Sequence, residues 1–192
     1  VFKMQSTHLS ALEESGLLIL QSETSSAILW YHELLGPMST KKPIVNFILH
    51  HKIWTKRVPS LREEISSALE KTAEILDRDF SETEVSVVLA DDTEVQDLNK
   101  TFRNRDKPTN VLSFPSEQKD ELGDIILAYE TVTREAEENG VSPLDHTLHL
   151  IIHGFLHLLG YDHEHENEAK EMENMEIRIL KDLHINNPYE DK

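Results

Sequence analysis

The histidines near the end of the chain constrain its fold and chemistry more than any other feature. Six of the eleven histidines fall between residues 146 and 165, and residues 153–163 have the sequence HGFLHLLGYDH. Side chains four positions apart lie on the same face of an α-helix, so His153 and His157 can bind one ion together. Gly160 favours the left-handed conformation that ends a helix, which would let the chain turn back and bring in His163. The spacing therefore predicts a metal site on a late helix.

The chain contains no cysteine, which excludes disulfide bonds, thiolate zinc sites and a cysteine nucleophile. Three neutral nitrogen ligands with one free position are typical of catalytic zinc, whereas structural zinc takes four protein ligands. We predict one zinc ion held by His153, His157 and His163, although three imidazoles also suit nickel, cobalt or copper. Nearby, His146 and His149 could support the site, pack in the core or lie at the surface.

The same spacing occurs in the metzincin metalloproteases, whose motif is HExxHxxGxxH. Those enzymes place a glutamate directly after the first histidine as the general base. Here that position is Gly154, which has no side chain, so a peptidase built on this site would lack its usual base. Met172 and Met175 could form the methionine turn of that group, but their helical spacing favours core packing. A metalloprotease is therefore the less favoured alternative.

Hydrophobic patterning predicts an α+β domain. Runs rich in β-branched residues indicate strands at 44–49, 85–90, 110–114 and 124–128. Helical spacing indicates a helix after Ser60, with Ser60 and Glu63 forming a capping box at its start. It also indicates a short helix after Asp91. Later helices are predicted at 129–139, 143–159 and about 164–183. We expect a small mixed four-stranded sheet packed with helices, in a metalloprotease-like arrangement with the metal site on a late helix.

Pro43 separates this regular patterning from a leading segment in which Ser and Thr are scattered among short apolar patches. We predict an unassigned N-terminal extension over residues 1–42, one domain over 43–187 and a C-terminal tail over 188–192. No apolar run approaches the roughly 20 residues that a membrane span needs. The leading segment also lacks the pattern of a secretion signal, so we expect a cytoplasmic protein.

The overall charge opposes nucleic acid at long range, because 36 acidic and 19 basic residues leave a net charge of -17. The segment 100–107 reverses this sign locally, with four basic side chains against one acidic. Arginine offers a planar fork that matches phosphate oxygens. Arg103, Arg105 and Lys107 are therefore candidates for phosphate binding, although composition alone would favour a solvated loop.

Two phenylalanines lie within and just beyond this basic segment. Phe102 and Phe114 could stack on nucleic-acid bases. Their helix and strand positions instead predict that both side chains lie in the core.

Together, the histidine segment and the basic segment resemble the YbeY-type endoribonuclease family of bacteria. The resemblance rests on HGFLHLLGYDH at 153–163, on LNKTFRNRDKPTNVLSF at 98–114 and on GDI at 123–125. It spans roughly residues 43–183. Asn110 departs from the family, which often has aspartate at this position, and residues 1 to about 43 match nothing in it.

The resemblance implies a zinc-dependent endoribonuclease that is selective for single-stranded RNA. It implies a role in ribosomal RNA maturation, notably at the 3′ end of the small-subunit RNA, and in ribosome quality control. It also implies zinc at His153, His157 and His163 and a catalytic Arg103. The expected partners are single-stranded and ribosomal RNA, with ribosomal subunit proteins or an assembly GTPase, and neither DNA nor a membrane. An alternative is a non-catalytic ribosome-assembly factor whose metal only stabilises the fold.

Overall fold

The structure, a computed structural model, describes residues 42–163 and 165–190 of the 192-residue chain. Almost all of the predicted N-terminal extension and the last two residues of the predicted tail lie outside the described residues. The strands are β1 (Ile44–Leu49), β2 (Glu84–Ala90), β3 (Val111–Pro115) and β4 (Glu121–Ala128). The helices are α1 (Ile53–Arg57), α2 (Leu61–Leu76), α3 (Asp92–Arg103), α4 (Tyr129–Asn139), α5 (Pro143–Leu158) and α6 (Glu166–Asp182).

The strands form one sheet in the order β1-β2-β4-β3. β1, β2 and β4 are mutually parallel, and β3 runs antiparallel to β4 at one edge of the sheet. The predicted α+β class with a small mixed four-stranded sheet is therefore confirmed. β4 begins earlier than predicted, because Glu121 already pairs with Glu84 before the register shifts.

Different helices cover the two faces of the sheet. Successive strand residues point to opposite faces, and in β2 Val85, Val87 and Leu89 pack with α2 and α5 in the main core. Val88 and Ala90 belong to a smaller cluster that includes residues of α3. Helices α3 and α5 therefore lie on opposite faces, and the edge strand β3 contributes side chains to both clusters.

The two predicted helix starts have different outcomes. Asp91 caps α3 as expected, since its side chain accepts a hydrogen bond of 2.9 Å from the backbone amide of Glu94. The capping box predicted at Ser60 is wrong, because its side chain caps no backbone amide and its backbone is not extended. The amide of Leu61 donates to the carbonyl of Val58 in a turn, which holds Ser60 close to helical geometry and takes its hydroxyl away from the capping position.

The short helix α1 was not predicted from the sequence. It places Trp54 in the core, where its indole Nε1 donates to the carbonyl of Ala90 over 2.9 Å. The ring of Trp54 also packs edge-on against Tyr129. A five-residue helix carries too little periodicity for a sequence pattern to reveal it.

Helix α5 is buried between the sheet and α6. Its Ile152 and Leu156 pack against Met172, Ile179 and Leu180 of α6. Met175 packs on the same cluster, so core packing of Met172 and Met175 is confirmed. None of the helices in the described part of the chain is long and apolar enough to cross a membrane.

Candidate metal centre

The three predicted ligands converge. His153 and His157 lie one turn apart on α5, and His163 lies in the segment that follows it. One nitrogen from each ring lies within 4.8 Å of the others. Within the described residues, no fourth histidine, aspartate or glutamate joins this group. The two helical histidines are half-buried and His163 is exposed, so the group opens to solvent on one side.

The turn after α5 brings His163 back to the helix. Gly160 has a φ of +90°. The amide of Tyr161 donates to Leu156 and the amide of Gly160 donates to His157, which is the Schellman pattern of helix termination. The predicted function of this glycine is therefore confirmed by the backbone.

The tautomer of His157 follows from its hydrogen bond. Its Nδ1 lies 2.9 Å from the backbone carbonyl of Tyr161, which can only accept, so Nδ1 carries the proton. Burial, together with the neighbouring His153, lowers the pKa of His157 below the ordinary value, and the bond to Tyr161 only partly offsets this. His157 is thus a neutral imidazole with a lone pair on Nε2.

Glu176 determines the tautomer of His153. This glutamate of α6 is completely buried, and its Oε1 lies 2.7 Å from Nδ1 of His153. Burial alone would raise the pKa of Glu176, but hydrogen bonds from His149, His153 and Tyr189 more than offset it and lower the pKa to about 2. The carboxylate is therefore ionised and accepts, so Nδ1 of His153 carries the proton.

The two lone pairs that remain face each other. When both rings are neutral, Nε2 of His153 and Nε2 of His157 are both acceptors, and they lie 3.1 Å apart. Two acceptors this close repel each other unless a cation lies between them. Ligands about 2.05 Å from a tetrahedral zinc ion lie roughly 3.3 Å apart. The donor set and its spacing therefore fit a metal ion bound through Nε2 atoms.

Glu176 was not predicted as a site residue from the sequence. It belongs to an acidic helix, but it lies on the apolar face of that helix. It follows Met172 by four positions and precedes Ile179 by three, so helical spacing alone places it among buried residues. This helical position was the sequence signal that could have identified Glu176 as a buried carboxylate.

The neighbouring histidines, whose position was left open, each contact a carboxylate. Nε2 of His149 lies 3.2 Å from Oε2 of Glu176. Nε2 of His146 lies 3.0 Å from Oε2 of Glu135. Neither belongs to the three-histidine group itself.

Comparison with known proteins identifies the family. The family model described as Endoribonuclease YbeY matches residues 49–184. This chain belongs to the YbeY family. A relative from Bradyrhizobium diazoefficiens named Endoribonuclease YbeY is 45% identical over 161 residues, covering 78% of this chain and 87% of the relative. One from Rhodopseudomonas palustris with the same name is 45% identical over 157 residues, covering 77% of this chain and 82% of the relative.

A solved structure supports the fold of this YbeY-family chain. The solution structure of TM1509 from Thermotoga maritima has a TM-score of 0.51 and 28% sequence identity. The match covers 78% of this chain and 97% of TM1509.

The basic segment of this YbeY-family chain lies on α3 and the loop after it. Arg103, Arg105 and Lys107 are exposed, and no carboxylate in the described ranges forms an ion pair with them. Lys100 differs, because its Nζ lies 2.7 Å from Asp106. Arg103 is the last residue of α3, which packs on the opposite face of the sheet from α5.

The core position predicted for Phe102 is wrong. Its side chain is 62% exposed, and its ring contacts Phe114 at a centroid distance of 5.1 Å. Phe114 packs against the cluster below α3 but is only half-buried, so its predicted core position is confirmed only in part. β3 is an edge strand, and no further strand among the described residues extends the sheet beyond it to cover the ring of Phe102.

Two asparagines hold this region in place. Nδ2 of Asn99 donates to the carbonyl of Lys107 over 2.7 Å, which ties the basic loop to α3. Asn110, the departure from the family noted above, donates to Glu135 over 2.9 Å. An aspartate at this position would bring two carboxylates together, so the amide suits the Glu135 that this chain carries.

Proposed function

We propose that the protein is a zinc-dependent endoribonuclease that cleaves single-stranded RNA. The observation that carries the proposal is the convergence of His153, His157 and His163, in which the Nε2 atoms of the two helical histidines lie 3.1 Å apart. The family model and the names of its relatives, Endoribonuclease YbeY, support RNA as the substrate class.

Each ligand would bind zinc through a neutral nitrogen. His153, His157 and His163 would hold the ion, with Glu176 and the carbonyl of Tyr161 keeping two of the rings in the tautomer that leaves Nε2 free. Once bound, the ion supplies a Lewis acid that polarises a phosphoryl oxygen and lowers the pKa of water.

The exposed cations would bind the RNA. Arg103 is the proposed catalytic residue, since its guanidinium can neutralise charge that develops on the scissile phosphate. Arg105 and Lys107 would bind neighbouring phosphates. Because α3 and α5 lie on opposite faces, we infer that the RNA strand crosses the edge of the sheet at β3. A flexible single strand can follow such a path, whereas a stiff duplex cannot.

The wider setting follows from the resemblance. We propose ribosomal RNA as the substrate, with maturation of the 3′ end of the small-subunit RNA and ribosome quality control as the processes. Ribosomal subunit proteins or an assembly GTPase would be the partners, in the cytoplasm. The proposed catalytic domain comprises residues 43–187, with residues 1–42 as an extension and 188–192 as a tail.

The decisive experiment is cleavage of a labelled single-stranded RNA by the purified protein. Zinc-loaded protein should cleave it, a chelator should abolish cleavage, and added zinc should restore it, while a duplex of the same sequence should resist. Elemental analysis of the same preparation should give one zinc per chain. Protein that holds zinc, cleaves no RNA and still sediments with ribosomal subunits would favour the assembly-factor alternative.

The product ends distinguish two nucleophiles. Attack by water leaves no cyclic phosphate, whereas attack by the 2′-hydroxyl leaves a 2′,3′-cyclic phosphate. Mass spectrometry of the fragments separates the two products. Both nucleophiles are compatible with the proposed ligand set, and a 2′,3′-cyclic phosphate would exclude attack by water.

A further inference from the structure

Glu176 is a buried carboxylate that accepts from three side chains. Its Oε1 accepts from His153 at 2.7 Å. Its Oε2 accepts from His149 at 3.2 Å and from the hydroxyl of Tyr189. No part of Glu176 is exposed to solvent.

A carboxylate at this position is costly by itself. Its neighbours on the buried face of α6 are Met172, Ile179 and Leu180, where another apolar side chain would pack without any loss of hydration. A buried charge is kept only if its hydrogen bonds are made, and here all the donors come from aromatic side chains. One of them, His153, is a proposed zinc ligand, which gives the carboxylate a function besides packing.

Tyr189 reaches Glu176 from the C-terminal segment. The chain leaves α6 through His184, whose φ is +59°, and Ile185 packs against the cluster between α5 and α6. The amide of Tyr189 donates to the side chain of Asn187 over 3.0 Å, which forms a local turn. The Tyr189 ring also meets the ring of His149 edge-on. The segment 185–190 thus ends in a phenol that contacts the same carboxylate as two histidines.

We propose that Glu176 is a positioning residue of the metal centre, and that Tyr189 completes it by hydrogen bonding, so that the C-terminal segment sets the affinity for zinc. Glu176 holds His153 with Nδ1 protonated and Nε2 toward His157. Tyr189 holds Glu176 in the orientation that keeps His153 in this tautomer. The inference rests on the proposed metal site, because it assigns the environment of one of its ligands.

Mutation of a residue that hydrogen-bonds to a metal ligand typically lowers metal affinity by about 10–100-fold. Glu176→Leu should therefore weaken zinc binding by up to about 100-fold, since it removes both acceptors and keeps the volume. Glu176→Gln should have a smaller effect, because its carbonyl oxygen can still accept from His153. Tyr189→Phe removes only the hydroxyl and should weaken binding by roughly 10-fold.

Zinc affinity is measured by competition with a chromophoric chelator. Met172→Leu, a buried neighbour one turn earlier on α6, controls for core packing, and Tyr129→Phe controls for loss of a phenol elsewhere. Both controls should bind zinc as the unmodified protein does. Zinc affinity unchanged in Glu176→Leu and in Tyr189→Phe would overturn the proposal.

A second measurement does not depend on the metal. Long-range ¹H–¹⁵N spectra of the zinc-free protein report which nitrogen of His153 carries the proton. We expect the proton on Nδ1 in the unmodified protein and a mixture of the two tautomers in Glu176→Leu. An unchanged spectrum would contradict the positioning role.

The two proposals can fail separately. If the unmodified protein bound no zinc, the proposed function would fail, whereas dependence of the His153 tautomer on Glu176 would still support positioning. If Glu176→Leu does not fold, Glu176→Gln and Tyr189→Phe carry the test.

Discussion

Gly154 of α5 packs directly against Ile125 of β4. A Cβ atom at Gly154 would lie 2.9 Å from Cγ2 of Ile125 and 2.9 Å from Oγ of Ser113 on β3. The helix can approach the sheet this closely because residue 154 has no side chain. The position at which metzincins carry their catalytic glutamate therefore faces the core in this protein, which is a physical reason to exclude that protease mechanism.

Replacing Gly154 should destabilise the protein. In an open helix, Gly→Ala is stabilising by about 0.8–1 kcal/mol. Here the steric conflict should outweigh this gain, and Gly154→Ala should lower the free energy of unfolding by about 1–3 kcal/mol, as overpacking does elsewhere. Chemical denaturation measures the difference. Ser113→Ala removes one of the two contacts, so the double variant should recover part of the loss; a more stable Gly154→Ala variant would contradict the close packing.

Removing any one of the three proposed ligands should abolish stable zinc binding. His153→Ala, His157→Ala and His163→Ala each leave two imidazoles, and elemental analysis after dialysis should find little zinc in them. His165→Ala is the matched control, because this exposed histidine lies two positions beyond His163 and outside the group. Full zinc content in the His163→Ala variant would remove that residue from the ligand set.

Arg103→Ala should retain zinc and fold while losing RNA cleavage. An electrostatic contact made to the developing charge is typically worth 100-fold or more in rate, so we expect a loss of about 100-fold. Arg57→Ala, an exposed arginine on α1 outside the basic segment, should cleave normally. Equal rates for the two variants would mean that Arg103 has no part in catalysis.

Asn99→Ala should loosen the basic loop without removing any of its charges. Asn99 is buried, and its side-chain amide bonds the carbonyl of Lys107. Loss of a buried hydrogen bond costs about 1–2 kcal/mol. Amide hydrogen exchange should accelerate between residues 104 and 110 while β1 stays protected. Unchanged exchange in this loop would show that other contacts, such as the pair between Lys100 and Asp106, hold it in place.

The amino-acid sequence by itself determined the features that depend on neighbours in the chain. The spacing of His153 and His157 places both on one face of α5, and Gly160 ends that helix as its residue type predicts. Asp91 caps α3 for the same reason, because a cap contacts an amide only three residues away. The four strands also follow from their local composition. Convergence of His163 with the helical pair could be predicted because one short turn connects them.

Only the tertiary structure decided which of these surfaces are covered. Phe102 lies on the apolar face of α3 yet is exposed, because in the described part of the chain the sheet ends at β3. No local pattern specifies strand order. Glu176 belongs to an acidic helix yet is buried, because α6 packs against α5 and brings it to His153. Periodicity tells which residues share a face of a helix or strand. Whether that face meets solvent depends on elements far away in sequence, whose packing is a property of the whole fold.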